Sequence, residues 1–171
     1  GFVGTPLLCP VLTQNGHADA AYTLLLNEDF PSWLYEVNMG ATTIWERWNS
    51  VLPDGSISDT GMNSLNHYAY GSVVEWMYRY MCGLNGCEDA PGYERFIICP
   101  YVDERFEWVR MSYDSAKGKI RSEWRKKDNG YLYKVEIPFD TEADFVLNQD
   151  AETVTVNEVE RPNLKKGDRI H

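Results

Sequence analysis

The sequence predicts an α+β chain, helical in its first half and strand-rich in its second. Three observations carry that reading. The apolar period changes from helical to alternating near residue 90. The charge changes at the same place: residues 1–90 hold ten acids and two bases, residues 91–171 sixteen acids and fourteen bases. Turn signals then recur at strand-length intervals, with Asn129-Gly130 the strongest. The expected division is a helical part over 1–88 and a small antiparallel β-sandwich over 89–171.

The helical part opens at Thr5-Pro6, with proline at the first helical position. Leu7, Leu8, Val11 and Leu12 form one face, and Asn15-Gly16 supplies the stop. A second helix carries Ala18, Ala21, Tyr22, Leu25 and Leu26 on one side and ends by Pro31. The short connection between them implies an antiparallel pair. Residues 31–62 hold three tryptophans and two prolines without a clear period. An aromatic loop of that length is a functional loop rather than a disordered one. A third helix is expected from Asn63-Ser64, with His67, Tyr70, Val74, Met77 and Met81 on one stripe and closure at Gly83 or Gly86.

Six strands are expected beyond residue 90: "YERFIICPY", "FEWVRMSYD", "GKIRSEWRKK", "YLYKVEIPF", "ADFVLN" and "ETVTVNEV". Tyr131, Tyr133, Val135 and Ile137 alternate along the fourth. Trp108 and Trp124 are expected in a core or an interface, given the area a tryptophan buries.

Composition excludes several classes. A net charge of −10 argues against a nucleic-acid groove. There is no apolar run of transmembrane length and no basic-then-apolar leader, so no membrane partner is expected. The first residue is Gly1 rather than Met, as expected of a processed or excised piece. Cys9, Cys82, Cys87 and Cys99 have no zinc-site spacing, and His17, His67 and His171 do not complete one. No metal and no cofactor is expected, and no calcium-loop spacing occurs. Free thiols favour a reducing, cytoplasmic compartment.

The chemistry concentrates in "GATTIWERWNS", residues 40–50. Glu46 lies between Trp45 and Trp48, with Arg47 beside it. A carboxylate among flat aromatic faces suits a sugar, whose C–H faces stack on indole and whose hydroxyls bond carboxylates. Glycoside hydrolysis needs two carboxyl groups, and the inverting route separates them by about 6.5–9.5 Å. The plainer alternative pairs Glu46 with Arg47 or a turn and puts the tryptophans in a core. His67 has a plain alternative too, as a helix-start histidine bonded to nearby backbone. Glu36, Asp54 and Asp59 share the loop region, but nothing in the sequence aims them at Glu46.

The motifs "GATTIWERW" and "MNSLNHYAYGSVVEW" occurring together resemble the end of the catalytic domain of bacterial α-L-rhamnosidases. The resemblance runs over residues 1 to about 86, and the strand-rich remainder is similar to the β-sandwich that follows in that family. It implies the terminal helices of an (α/α)6 barrel. It also implies Glu46 as general base of an inverting hydrolysis of terminal rhamnose, with His67 lining the sugar site and Trp45 and Trp48 as its walls. Rhamnose-containing glycosides or oligosaccharides are the implied substrates. The family's general acid lies in an earlier segment that these residues do not include, and three helices cannot close a barrel of twelve. Apolar helix faces left without neighbours are expected to self-associate. A non-catalytic carbohydrate-binding module, or a structural role for the sandwich, stands as the alternative.

Overall fold

The computed structural model describes residues 1–59 and 61–171; Thr60, inside the expected loop, lies outside the described residues. The chain forms two compact units, Gly1–Trp76 and Met77–His171. Among the described residues no helix is long and apolar enough to cross a membrane.

The first unit starts with α1 (Thr5–Gln14) and α2 (Ala18–Leu26). Gly16, at φ +85°, takes the left-handed turn that stops α1. The expected face of α1 is not its buried one: Leu7, Leu8 and Val11 are exposed, while Cys9 and Thr13 are buried. Thr13 donates its hydroxyl to the Cys9 carbonyl at 2.8 Å and accepts the Trp76 indole N–H at 2.9 Å. Trp76 in turn meets Tyr22 edge-on, with ring centroids 5.2 Å apart. That cluster is the core of the unit.

Within the expected loop lies α3 (Trp33–Asn38), opened by Ser32, whose hydroxyl accepts the Tyr35 N–H at 3.0 Å. The expected third helix begins later and is less regular. Ala69–Ser72 is a 3-10 turn and Val73–Trp76, here α4, is a single α turn. Its buried stripe within this unit is Tyr70, Val73 and Trp76, whereas Val74 is exposed. The Tyr70 carbonyl accepts the Trp33 indole N–H at 2.8 Å, which draws it out of an α-helical ladder.

The second unit opens with a π-helical turn, Met77–Met81. Nine strands follow among the described residues: β1 (Leu84–Gly86), β2 (Arg95–Ile98), β3 (Trp108–Ser115), β4 (Gly118–Lys127), β5 (Gly130–Glu136), β6 (Glu142–Val146), β7 (Ala151–Val156), β8 (Val159–Leu164) and β9 (Arg169–Ile170). They form sheets ordered β1-β2-β6-β9, β3-β4-β5 and β7-β8. Their pairings are antiparallel except β2 with β6. The first two sheets share a core of Phe96, Ile98, Met111, Ile120 and Trp124, and Tyr133 meets Phe145 across them at 4.9 Å. Trp124 is fully buried as expected, but Trp108 is half exposed, with the guanidinium groups of Arg110 and Arg125 within 6 Å of its ring.

Two side-chain bonds tie β4 to the start of the unit. Ser122 donates its hydroxyl to the Cys82 carbonyl and Trp124 its indole N–H to the Met81 carbonyl, both at 2.8 Å. Gly83, at φ +85°, lies so close to Cys99 and Pro100 that any Cβ would collide with their backbone.

Candidate active site

The segment carrying Glu46 is held without regular secondary structure. Its backbone runs beside residues 64–67 in an antiparallel sense. The Glu46 N–H donates to the Ser64 carbonyl at 2.8 Å, and the His67 N–H donates to the Ile44 carbonyl at 2.8 Å. Thr43 adds its hydroxyl to the Leu65 carbonyl. These bonds bring Glu46 and His67 onto neighbouring stretches of chain, although twenty residues lie between them in sequence.

Side chains finish the loop. Ser50 is fully buried; its hydroxyl donates to Asn63 Oδ1 at 2.5 Å and accepts the Arg47 N–H at 3.1 Å. Asn63 Nδ2 donates to the carbonyls of Ser50 and Ser58, each at 3.1 Å. Such side-chain bonds replace the ladder a strand would provide.

The predicted site residues fall as follows. Glu46 is partly exposed. Among the described residues no cation pairs with it, since the Arg47 Nε donates instead to the Met62 carbonyl at 2.9 Å. The ion pair of the plainer alternative is therefore not formed. His67 stacks between Phe2 at 4.7 Å and Tyr68 at 5.1 Å, with interplanar angles of 16° and 12°. Its Nδ1 accepts the Ala69 N–H at 3.2 Å, so in the neutral ring Nε2 is the atom carrying the proton. Trp48 lies face to face with Tyr70 at 3.8 Å and edge-on to Trp33 at 5.3 Å. Trp45 is buried, only 4% exposed, so its ring presents no open face of the kind expected of a wall residue.

Of the three other acids, two lie on the surface. Asp54 accepts the backbone N–H and hydroxyl of Ser56 at 2.9 and 2.6 Å, and those bonds hold its carboxyl below the usual range. Asp59 is exposed. Glu36 is different: it is 3% exposed, its Oε2 accepts the Trp45 N–H at 3.4 Å, and its Oε1 has no hydrogen-bond partner among the described residues. Burial pushes its carboxyl up to about 7, against the opposing pull of the Trp45 amide. Burial and the Glu36 charge also push the Tyr70 phenol up. In sequence Glu36 is one of three acids besides Glu46 in the aperiodic region, with nothing to set it apart from Asp54 and Asp59.

Among the described residues no group of His, Cys, Asp and Glu is arranged to hold a metal ion. A cleft in the β unit is lined by Asp89, Arg95, Asp144 and Arg169 among others, and these four charges pair with one another.

Two family models match in sequence. Residues 1–81 match the bacterial alpha-L-rhamnosidase 6 hairpin glycosidase domain, and residues 83–161 match the bacterial alpha-L-rhamnosidase C-terminal domain. The chain belongs to the bacterial alpha-L-rhamnosidase family. It is 41% identical over 150 residues to an alpha-L-rhamnosidase of Streptomyces avermitilis, covering 88% of this chain and 14% of that protein. It is 38% identical over 166 residues to one from Alteromonas sp. strain LOR, covering 97% of this chain and 18% of that protein. Among solved rhamnosidases, the S. avermitilis enzyme complexed with L-rhamnose superposes with a TM-score of 0.80 at 35% identity, covering 98% of this chain and 17% of that one. The native Aspergillus terreus enzyme gives 0.79 at 32% identity, covering 100% and 19%. This chain thus spans less than a fifth of the length of these rhamnosidases, and matches a helical barrel end followed by a β domain.

Proposed function

We propose that this chain is the C-terminal part of an α-L-rhamnosidase that removes terminal α-L-rhamnose from glycosides with inversion, and that Glu46 is its general base. In this reading residues 1–88 complete the catalytic barrel and residues 89–171 form the appended sandwich. The observation that carries the proposal is the state of Glu46: a carboxylate without a cation partner among the described residues, on a loop braced against the segment bearing His67.

The chemistry follows from the parts. Glu46 takes a proton from a water as that oxygen bonds to the anomeric carbon. The bond from that carbon to the leaving oxygen breaks, and the leaving oxygen receives a proton from an acid on the rest of the full-length protein. His67 offers Nε2–H to a sugar hydroxyl, and Trp48 gives an aromatic wall. Rhamnose-containing glycosides are the substrates, and no cofactor has a part. The exposed row Leu7, Leu8 and Val11 gives the isolated chain a surface for self-association.

The test is Glu46→Gln in the full-length enzyme, assayed on an aryl rhamnoside beside the 171 residues alone. The variant is expected to lose about 10²–10⁴-fold in kcat with its melting temperature unchanged, and the isolated chain to show no turnover. Near-normal turnover by the variant would remove Glu46 from the role of base. Turnover by the isolated chain would overturn the assignment of the acid to another segment.

A further inference from the structure

The residue least explained by packing is Glu36. It sits on α3, buried to 3% exposure, among Trp45, Tyr70 and the loop that carries Arg47. A buried carboxyl is costly to keep, and leaving one of its oxygens without a donor raises that cost. Buried polar groups in folded proteins are nearly always satisfied, so an exception calls for a reason. Here the single polar contact made by the side chain among the described residues is with the amide of the residue that precedes Glu46.

The geometry around that amide is specific. In an extended segment successive N–H groups point to opposite sides. The Glu46 N–H points to the Ser64 carbonyl and the Ile44 carbonyl receives His67 N–H, so this side of the segment is braced by residues 64–67, with the Thr43 hydroxyl adding a bond to the Leu65 carbonyl. The Trp45 N–H points the other way, where no strand runs. Glu36 Oε2 takes the place that a strand carbonyl would fill, at 3.4 Å. A bond of that length is weak, and such contacts in active sites tighten when substrate binds.

We propose that Glu36 is a positioning residue: its carboxyl holds the Trp45 amide and so fixes the peptide from which Glu46 projects toward the attacking water. The inference rests on the reading of Glu46 as general base. The proximity of Glu36 to neutral ionisation agrees with it, because a carboxyl in balance between two forms accepts from an amide in either one. The titratable group facing it is Tyr70 from the 3-10 turn, whose phenol is raised by the Glu36 charge and lowered by Arg47 from the loop. Neither makes a hydrogen bond to it.

The experiment compares Glu36→Asp with Glu36→Gln in the full-length enzyme, with Glu46→Gln alongside. Aspartate keeps the charge but withdraws the acceptor by about one methylene; glutamine loses the charge but keeps an acceptor in place. Positioning predicts that E36D lowers kcat about tenfold or more while KM stays within about threefold. It also predicts that E36Q keeps kcat within about threefold of wild type. Melting curves confirm that both variants are folded. Wild-type kcat in E36D overturns the inference, as does an E36Q as slow as E36D, which would mean the charge acts directly. If E36D fails to fold, Glu36→Met, of similar length but with no carboxyl or amide oxygen, takes its place: a loss of about tenfold or more in kcat with KM within about threefold supports positioning, and wild-type kcat overturns it. An E46Q enzyme with near-normal turnover removes the base reading itself; an inactive E46Q with a normal E36D removes only this inference.

Discussion

The loop from Ala41 to His67 and the sheet β3-β4-β5 use polar residues in opposite ways. In and beneath the loop the polar groups go inside. Ser50, Ser58 and Glu36 are buried, and Ser50 and Asn63 bond backbone groups that no strand would reach. In the sheet the charges stay outside and meet in pairs, Arg121 with Glu136 and Arg125 with Glu123, all but Glu123 about half exposed. Only Ser122 is a buried polar residue there. A buried polar group that bonds one particular backbone atom selects one loop conformation, at the expense of desolvation. An exposed ion pair adds little to either stability or shape. Stability in the second unit therefore rests on its apolar core, and precision in the first rests on its internal hydrogen bonds.

The strongest way to sharpen this contrast is to empty the sheet core. Trp124 has no exposed surface, donates to the Met81 carbonyl at 2.8 Å and meets Tyr131 edge-on at 5.7 Å. Trp124→Ala should cost about 3–5 kcal/mol, measured by denaturant unfolding of the unit it belongs to. A loss below about 1 kcal/mol would place the sheet's stability outside its apolar core.

The same contrast explains what the sequence could reveal. Strands β2 to β6 were legible because alternation is a local pattern, and the hairpin between β4 and β5 falls at the Asn129-Gly130 signal. "ETVTVNEV" reads as one strand in sequence and is part of a hairpin, β7 with β8, turning on Asn157 and Glu158 at φ +47° and +68°. Glutamate is an unusual residue for that conformation, so no turn signal was present. The third helix begins later than its apolar spacing predicts. His67 Nδ1, Ser64 Oγ and the Trp33 indole take backbone groups near its expected start, and such competition cannot be read from apolar spacing. Glu46, His67, Trp45 and Trp48 could be nominated as candidates from sequence motifs. Glu36 could not be singled out, because its burial comes from how α3 lies against residue 45, nine positions away in the chain.

A smaller effect tests the buried acid on α3 that bonds the loop. Burial raises Glu36 to about 7, from near 4.5 in an unfolded chain. The folded state then holds this proton more tightly than the unfolded state does. Its contribution to stability is most favourable below about pH 4.5, declines as pH rises, and reaches its full cost above about pH 7. Glu36→Gln removes that dependence. The stability of the variant relative to wild type should therefore rise between about pH 5 and pH 8, by about 2 kcal/mol. Parallel thermal melts across that range read it directly. A constant difference would mean that Glu36 is hydrated in solution, and the loop would lose its distinguishing feature.

The smallest effect is expected from the sheet's own charges. Arg121 and Glu136 stand directly opposite in the β4–β5 register and pair side chain to side chain. Their relative exposures of 47% and 54% leave both groups in contact with water. The attraction is screened there, and holding two long side chains in one geometry costs rotamer freedom. Glu136→Gln should change stability by less than about 0.5 kcal/mol, and the difference should shrink further in about 0.5 M salt, where the Debye length is about 4 Å. If the variant lost more than about 1.5 kcal/mol, an exposed pair would be holding the sheet as firmly as buried groups hold the loop. The line between a region built for shape and one built for stability would then have to be drawn by something other than where each keeps its charge.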